Sequence, residues 1–504
     1  MNINEVTIKD FNFGDVNGSE ESQEPRFQDL YYDEGSKIEN QVKSKKKFII
    51  YGRKGTGKTL LASYINEKNK ELVESSSKIV AYDEFILEKL KEFNYDSVKR
   101  EEQSLFWRYF FLQQFADLIG EDLEKLSFWQ VYQKNKIKKF IKDVKQQFWE
   151  VQQLIDETTV GSEVSSQLGT SVSDAGSHIG TRISSSNTRT IHGSVSPYFK
   201  KYQILESLIE DYLSKSSKKY TIFFDDLDRL EETIPREEFL YLMISMINGA
   251  HALNKKLPDN SKIVILLRSD VIKLLFGKSG DINKLVTSGG VELRWYDSNS
   301  KASANPLMKM IFYKMSQSID GEIPLEVIRE QFFSRKETVF TYIMARTFGR
   351  PRDVVAFFNI YKDRFPDDRK ILIDHLRESE KEYSEWFYRE ISNELKMTGE
   401  FDEIDEVIRA ISESGKGEFT YHKLRDFLIK RERNCDKLLS YLSILVNQGV
   451  LGIRLHSGNV EFRYRDFNID KPVNIHTIFV VHYGLRKLFS TGIDKSKEPN
   501  ISYE

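Results

Sequence analysis

The sequence predicts an α/β protein with a mostly parallel β-sheet flanked by helices. Short apolar runs alternate with helical segments between residues 45 and 300, and such alternation is typical of a parallel sheet covered by helices. A glycine-rich turn also joins the first apolar run to the first helical segment, 60–72. A helical part and a basic C-terminal part follow this core. The predicted strands are 48–51, 78–82, 220–224, 262–267 and 291–295.

The chain has 504 residues, a length that favours two or three domains. Hydrophobic residues make up 39% of it, which is enough to bury real cores. Basic residues (75) nearly balance acidic ones (77), so any surface for a polyanion must be local. We expect an N-terminal lead-in at 1–44, a P-loop core at 45–300, a helical lid at 301–400 and a winged-helix-like domain at 401–504.

Cysteine content and hydropathy favour a soluble cytoplasmic protein. Cys435 is the only cysteine, which excludes an intrachain disulfide and a cysteine-based zinc site. The N-terminus lacks the basic start and apolar run of a secretion signal. No uncharged apolar stretch reaches the roughly 20 residues that a membrane helix needs, so no membrane partner is expected.

The glycine-rich turn carries a phosphate-binding motif. Residues 52–59 match G-x-x-x-x-G-K-[ST] at every defined position. The glycines let backbone N–H groups point at phosphate oxygens, and the following helix adds its positive N-terminal end. Lys58 is expected to reach the β- and γ-phosphates and the Thr59 hydroxyl to bind Mg²⁺, so ATP and Mg²⁺ are the predicted cofactors. The motif consists of Gly52, Arg53, Lys54, Gly55, Thr56, Gly57, Lys58 and Thr59.

An acidic pair follows the predicted strand 220–224. Asp225 stands directly after the apolar run, where it could hold Mg²⁺ directly or through water. Asp226 stands where many P-loop ATPases place the carboxylate that polarises the attacking water. That carboxylate is usually Glu, so Asp at this position favours slow hydrolysis. Asp228 is interpreted instead as a cap of the next segment or a partner of Arg229.

Two arginines are candidates for contact with the γ-phosphate. Arg268 follows the strand 262–267 and could neutralise charge that develops there, while the alternative is a surface pair with Asp270. Arg352 could reach back to the nucleotide and couple its state to domain closure, with Arg350 as the alternative. A helix start with an Arg–Asp pair is the purely structural interpretation of both.

Residues 158–196 differ in composition from the core around them. Gly, Ser and Thr supply 22 of these 39 residues, which favours a flexible insertion. The alternative is a segment that orders in an oligomer, because apolar residues recur every four positions between small ones. These residues are Val160, Val164, Leu168 and Val172.

Together these segments resemble the ASCE branch of P-loop ATPases, near the KAP and STAND groups. Residues 225–229 look like the KAP Walker B motif, Arg268 looks like the STAND sensor arginine, and 349–353 look like the lid sensor of AAA+ and STAND proteins. The chain is most similar to bacterial stand-alone P-loop ATPases. In that family the P-loop of 48–59, an Arg-Pro-Arg-Asp lid segment and a winged helix, here about 402–490, follow in this order.

Two departures from these groups bear on function. The chain lacks the transmembrane helices that KAP proteins usually carry, and it shows no repeat of the 20–50-residue kind that STAND sensors carry. The resemblance therefore implies that sensing or effector function resides in another protein. It also implies a place in anti-phage defence.

The C-terminal part is basic. Residues 415–490 contain 13 Lys and Arg against 7 Asp and Glu, a net charge of +6. A winged helix could use this charge on DNA phosphates, or it could serve as a protein-docking or oligomerisation module, which the composition slightly favours. The candidate basic residues are Lys430, Arg431, Arg433, Arg454, Arg463 and Arg465.

The leading functional hypothesis is a molecular switch that binds ATP and hydrolyses it slowly. Its nucleotide state would control a homo-oligomer or a partner effector, with Arg268 or Arg229 of a neighbouring subunit as a finger at the γ-phosphate. The alternatives are a DNA-binding motor or loader that uses residues 401–490, and an ATP-binding scaffold without hydrolysis.

Overall fold

A computed structural model of the protein separates into two compact units. The sheet unit comprises 36–52 and 61–292, and the helical unit comprises 1–35, 53–60 and 293–504. The insertion predicted at 158–196 lies outside the described residues, except for its last two positions. The structure describes residues 3–81, 100–124, 195–232, 234–297, 300–319, 323–334, 336–396, 400–464 and 472–490, with scattered helical positions between 135 and 146.

The N-terminal segment, predicted to be a polar lead-in, supplies aromatic residues to the core of the helical unit. Phe11 and Phe13 are almost fully buried. The Phe11 ring meets Phe332 edge-on at 4.9 Å, and the Phe13 ring stacks on Phe358 at 5.0 Å. Their alternation with polar residues in a short segment concealed this long-range packing. Two short helices follow, α1 (Gly18–Glu21) and α2 (Phe27–Leu30).

Five parallel strands form the sheet, in the order β2-β3-β4-β1-β5. The residues of β3 and β4 are buried almost throughout, as expected of continuous apolar runs in a parallel sheet covered on both faces. The predicted mostly parallel sheet is confirmed, although the last strand ends three residues earlier than predicted. The strands are β1 (Ile49–Gly52), β2 (Ser75–Ala81), β3 (Lys219–Asp225), β4 (Ser261–Arg268) and β5 (Gly290–Glu292).

Helices flank this sheet, and those between residues 100 and 289 share one hydrophobic core with it. Aromatic residues are prominent in this core, and the Phe111 ring meets Phe224 of β3 at 4.8 Å. The helices are α3 (Lys37–Lys43), α4 (Lys58–Glu71), α5 (Arg100–Glu124), α6 (Val195–Lys215), α7 (Arg236–Lys256), α8 (Ser269–Phe276) and α9 (Gly280–Gly289).

A buried lysine joins β4 to the C-terminal end of α3. The Lys262 ammonium donates to the carbonyl oxygens of Val42 and Ser44, the latter at 2.8 Å, and its residue is 7% exposed. Burial lowers the pKa of Lys262 from 10.5 to about 7. A neutral amine has two N–H donors, which match the two carbonyl acceptors.

We expect the stability difference between wild type and Lys262→Met to depend on pH. The folded state releases the Lys262 proton near pH 7 and the unfolded chain near pH 10.5, so the unfolded state binds more protons between these values. Stability of the wild type relative to the variant therefore rises through this window, by at most about 1.4 kcal/mol per pH unit. Urea unfolding of both proteins from pH 6 to pH 10 measures this.

The matched control is Lys284→Met, because Lys284 is an exposed lysine of the same unit paired with Asp281 at 3.2 Å. The difference in free energy of unfolding between Lys284→Met and wild type should stay constant with pH. If the stabilities of wild type and Lys262→Met changed in parallel between pH 7 and pH 10, the lowered pKa of Lys262 would be contradicted.

Within the described residues, the helical unit continues with five helices in the segment predicted as a lid. Asn305 caps the first of them by accepting from the Leu307 N–H, and Pro306 occupies the first helical position, where its missing N–H costs nothing. These helices pack with the N-terminal segment and the C-terminal domain in one core. They are α10 (Pro306–Ser318), α11 (Leu325–Phe332), α12 (Lys336–Arg346), α13 (Pro351–Arg364) and α14 (Ile373–Leu395).

In the described residues the C-terminal domain has the element order helix, strand, helix, helix, strand, strand, strand. The predicted helices followed by paired strands are present, and the winged-helix assignment stays a prediction. Its strands form a four-stranded antiparallel sheet in the order β6-β9-β7-β8, in which the predicted pair around 456–459 is β7 and β8. Strands β6 and β9 were not predicted. The elements are α15 (Phe401–Glu413), β6 (Glu418–Thr420), α16 (Tyr421–Ile429), α17 (Leu438–Gln448), β7 (Leu451–Arg454), β8 (Val460–Glu461) and β9 (Ile478–Val481).

Candidate functional site

Three predicted site residues lie at one edge of the parallel sheet. Gly52 ends β1, Asp225 ends β3 and Arg268 ends β4. Gly52 is in register with Arg268 on the neighbouring strand. Carboxyl ends of parallel strands are where open α/β sheets bind ligands. The sheet thus brings these three predicted residues to the edge where a ligand is expected.

The acidic pair has a specific backbone conformation. Asp225 is 4% exposed, and its Oδ1 accepts from the Asp226 N–H at 2.9 Å. Asp226 has a φ of +56°, in the left-handed region that Asp and Asn tolerate better than most residues. This conformation lies directly after Asp225, the last residue of β3.

The Asp225 carboxylate fits a magnesium site. Mg²⁺ usually takes one or two carboxylates together with water and phosphate oxygens, so a single strand-end carboxylate is an adequate protein ligand. In the described part of the chain, no group of three or more His, Cys, Asp or Glu could hold a metal ion by itself. Thr59, the other predicted ligand, is the second residue of α4.

Arg268 forms the ion pair that was its alternative interpretation. Its Nε lies 3.1 Å from Asp270 Oδ1, and the Asp270 side chain is 53% exposed. Ion pairs this exposed contribute about 0–1 kcal/mol. Contact of Arg268 with a phosphate would therefore require the release of Asp270. The side chains of Asp228 and Arg229 lie outside the described residues.

The P-loop has the backbone that its glycines predict. Gly55 and Gly57 have φ values of +81° and +86°, which side-chain-bearing residues rarely adopt. The Arg53 carbonyl oxygen accepts from Thr56 Oγ1 at 2.8 Å and from Lys58 Nζ at 3.2 Å. Helix α4 begins at Lys58, so its N-terminus lies where the motif requires it.

Residues of the helical unit contact three consecutive P-loop carbonyl oxygens. Trp295 Nε1 donates to Thr56 O at 2.8 Å, and Arg350 Nη1 donates to Lys54 O at 3.2 Å. The backbone N–H of Arg352 donates to Gly55 O at 3.4 Å. Trp295 was predicted as the end of a strand, but it lies in the loop after β5, and this loop position directs its indole N–H to the P-loop.

The two lid arginines differ in their surroundings. Arg350 is 1% exposed and pairs with Asp353 at 2.8 Å and with Glu394 at 2.6 Å. Burial lowers the pKa of Arg350, but these two carboxylates outweigh it and hold the pKa above its ordinary value. Arg352 donates through Nε to Val16 O at 2.9 Å and pairs with Glu390 at 3.1 Å. The Arg–Asp pair of the structural interpretation is thus present at Arg350.

The Arg53 guanidinium lies beside two aromatic rings, one in the segment predicted as a lid and one in the C-terminal domain. Its Cζ lies 5.0 Å from the centroid of Phe348 and 5.5 Å from that of Tyr464. Burial lowers the pKa of Arg53, and its Nη1 is buried without a hydrogen-bond partner among the described residues. Cation–π attraction supplies part of the compensation. The sequence motif allows any residue at this position, so nothing local indicated the contact.

A hydrogen-bond chain holds the Tyr464 side of this contact. The Gly484 N–H donates to His482 Nδ1 at 3.1 Å, which leaves the proton of this buried ring on Nε2. His482 Nε2 then donates to Tyr464 Oη at 2.6 Å, and that hydroxyl donates to Thr347 O at 3.2 Å. The Tyr464 ring beside Arg53 is therefore held in place by fully buried groups.

Several basic residues of the C-terminal domain have acidic partners. Arg454 Nε lies 2.7 Å from Glu418 Oε1, and Arg433 lies 2.9 Å from Glu413. Arg431 lies 3.7 Å from the same Glu413, while Arg465 lies outside the described residues. Part of the basic charge counted in the sequence is therefore neutralised locally.

The parallel sheet and the glycine-rich turn at 52–59 define a P-loop α/β fold. Residues 305–392, which span α10 to α13 and most of α14, match the family described as the FunZ-associated C-terminal helical domain. No curated protein matches the chain. Within the described part of the chain, no helix has both the length and the apolar character needed to cross a membrane.

Solved structures with some likeness to the chain include two proteins of Aeropyrum pernix. The ORC2 protein in its ADPNP–ADP complexes has 13% identity and a TM-score of 0.38, over 88% of this chain and 85% of that one. The ORC1 protein in complex with DNA has 11% identity and a TM-score of 0.34, over 89% and 87% of the two chains. The fold assignment rests on the strand order of this protein and not on these scores.

Proposed function

We propose that this protein is an ATP-dependent molecular switch that binds ATP with Mg²⁺ and hydrolyses it slowly. The observation that carries the proposal is the burial of the Arg53 guanidinium against the rings of Phe348, in the segment predicted as a lid, and of Tyr464 in the C-terminal domain. Arg53 belongs to the P-loop. A change in the backbone conformation of this loop when phosphate binds therefore alters the contact of Arg53 with the two rings. Nucleotide state and the C-terminal domain are thereby coupled.

The proposed roles follow the chemistry of each residue. Lys58 and the P-loop N–H groups bind the phosphates, and Thr59 and Asp225 hold Mg²⁺. Asp226 orients the attacking water, and Arg268 and Arg352 respond to the γ-phosphate. When bound, Mg²⁺ neutralises charge on the phosphate oxygens.

Mass photometry with and without a non-hydrolysable ATP analogue tests the switch. We expect a defined larger assembly with the analogue and its loss with ADP. If the mass and the hydrogen exchange of the C-terminal domain are the same in both states, the proposed coupling is wrong. If hydrogen exchange of the C-terminal domain changed while the mass did not, the nucleotide state would act on a partner effector and not on oligomerisation.

Replacing Asp226 by asparagine is expected to reduce ATP turnover about 100-fold or more while ATP affinity stays within about threefold, because a general base is lost. Asn tolerates the left-handed φ of +56° as well as Asp does, so the turn after β3 is retained. Phosphate release at saturating ATP measures turnover, and calorimetry measures affinity.

The control is Asp281→Asn, since Asp281 is a carboxylate of the same unit with an 81% exposed side chain. It should leave turnover unchanged. Equal turnover in wild type and Asp226→Asn would remove Asp226 from the mechanism.

A DNA-binding ATPase is the second candidate. The net charge of +6 over 415–490 favours it, whereas the pairing of Arg454 with Glu418 and of Arg433 with Glu413 counts against it. Phosphate-directed binding weakens steeply with salt. Duplex binding at 50 mM salt that fell at least about 100-fold at 200 mM, with DNA-stimulated turnover, would favour this candidate over the switch.

The setting of the switch is proposed from the resemblance to bacterial stand-alone ATPases. We place it in anti-phage defence, acting through a partner effector in the cytoplasm. Plaque counts on bacteria that express the protein with its neighbouring genes test this setting. Protection that persists unchanged with Lys58→Ala would contradict a nucleotide-driven role.

A further inference from the structure

Three backbone carbonyl oxygens of the P-loop accept hydrogen bonds from residues beyond the motif, all within the helical unit. Thr56 O accepts from the Trp295 indole, Lys54 O accepts from the Arg350 guanidinium, and Gly55 O accepts from the Arg352 N–H. The shortest of the three, at 2.8 Å, comes from Trp295. These bonds are separate from the glycine conformations that the motif itself supplies.

A planar trans peptide points its carbonyl and its N–H in opposite directions. The bond from Trp295 fixes the Thr56 carbonyl and therefore fixes the N–H of Gly57 on the other side of the same peptide. Converging N–H groups of this kind form an anion-binding site. Gly57 is the glycine that directly precedes Lys58 in the motif, so its N–H is expected among the phosphate donors.

Trp295 differs from Arg350 in what else it does. Arg350 is buried in a network of charges, so its loss disturbs the lid as a whole. The Trp295 ring is half-buried and lies 6.4 Å from the Tyr32 ring. Phenylalanine keeps most of this ring contact and removes only the N–H donor.

We propose that Trp295 is a positioning residue for nucleotide binding, because its indole N–H orients the Thr56–Gly57 peptide toward the phosphates of a nucleoside polyphosphate. This inference rests on the proposed function. It assigns the role to a loop residue outside the P-loop motif. The Gly57 N–H oriented in this way would contact phosphate and not the nucleoside. Binding of inorganic tripolyphosphate should therefore depend on Trp295 as binding of ATP does.

The test compares wild type with Trp295→Phe and with the control Trp386→Phe, whose ring packs beside Tyr383 at 5.8 Å. Calorimetry with Mg-ATP, Mg-ADP and inorganic tripolyphosphate should show about five- to tenfold weaker binding of all three to Trp295→Phe, the effect of one lost hydrogen bond. KM should rise by the same factor, and kcat at saturating ATP should stay within about twofold. Trp386→Phe should match wild type.

Amide hydrogen exchange of the segment 53–58 separates this role from a general loss of structure. Exchange of this segment in Trp295→Phe should be faster than in wild type, while exchange of α13 and α14 is unchanged. If wild type binds ATP and Trp295→Phe binds it within twofold, the role of Trp295 is overturned and the proposed function stands. If wild type binds neither ATP nor ADP, the proposed function is overturned as well.

Discussion

Replacing Lys58 by alanine is expected to weaken ATP binding by about 10- to 100-fold and to abolish turnover. The Lys58 ammonium lies 3.2 Å from Arg53 O within the P-loop, at the N-terminus of α4. A charged donor to phosphate contributes about 1.5–3 kcal/mol, and 2.7 kcal/mol corresponds to about a 100-fold change in affinity. The helix N-terminus and the loop N–H groups remain in the variant, so weak phosphate affinity persists.

Thermal unfolding with Mg-ATP measures this loss without an activity assay. A ligand at 100 times its dissociation constant stabilises the folded state by about 2.7 kcal/mol. We therefore expect ATP to raise the melting temperature of wild type but not of Lys58→Ala. Lys70→Ala is the control, because Lys70 lies at the other end of the same helix and pairs with Glu67 at 2.6 Å. If ATP stabilised Lys58→Ala as much as wild type, the P-loop would not be the ATP site.

Local sequence patterns predicted the sheet well because its strands are locally distinct. The strand cores of β3 and β4 are continuous apolar runs bounded by charged residues, and such runs have few alternatives to a buried strand. Strand β5 was predicted too long, since Trp295 continues an alternating pattern after Glu292. The Trp295 indole instead bonds Thr56 O, a partner 239 residues away in sequence, and no local pattern encodes such a pairing.

The candidate site likewise contains some features that local sequence encodes and others that depend on residues far apart in the chain. The P-loop glycines and the pair at Asp225 and Asp226 were predictable because the motif spacing itself expresses their chemistry. The pair of Arg268 with Asp270 was foreseen as an alternative since the two residues are near neighbours. The contact of Arg53 with Tyr464 joins the P-loop to the C-terminal domain. It could not be predicted, because aromatic residues at 348 and 464 look like ordinary core positions.

Replacing Arg350 by methionine is expected to destabilise the helical unit by about 3–5 kcal/mol. Arg53 and Arg350 both lie over the Phe348 ring, and the buried carboxylate of Asp353 and the largely buried one of Glu394 pair with Arg350. These four charges sum to zero. Removal of the Arg350 charge leaves a buried cluster with a net charge of −1, and an uncompensated buried charge costs this amount. Urea unfolding followed by circular dichroism and tryptophan fluorescence measures the loss.

A double variant distinguishes charge balance from lost packing. Arg350→Met with Glu394→Gln restores a neutral cluster of Arg53 and Asp353, so it should recover a large part of the stability that Arg350→Met loses. Arg364→Met, at the exposed end of the same helix, removes a pair with Glu382 at 3.1 Å and should cost less than about 1 kcal/mol. If the double variant were as unstable as the sum of its single changes, the cluster would not act as one electrostatic unit. If it recovers, the charge of Arg53 balances that of Asp353, and a P-loop side chain is part of the electrostatic unit that keeps the helical unit folded.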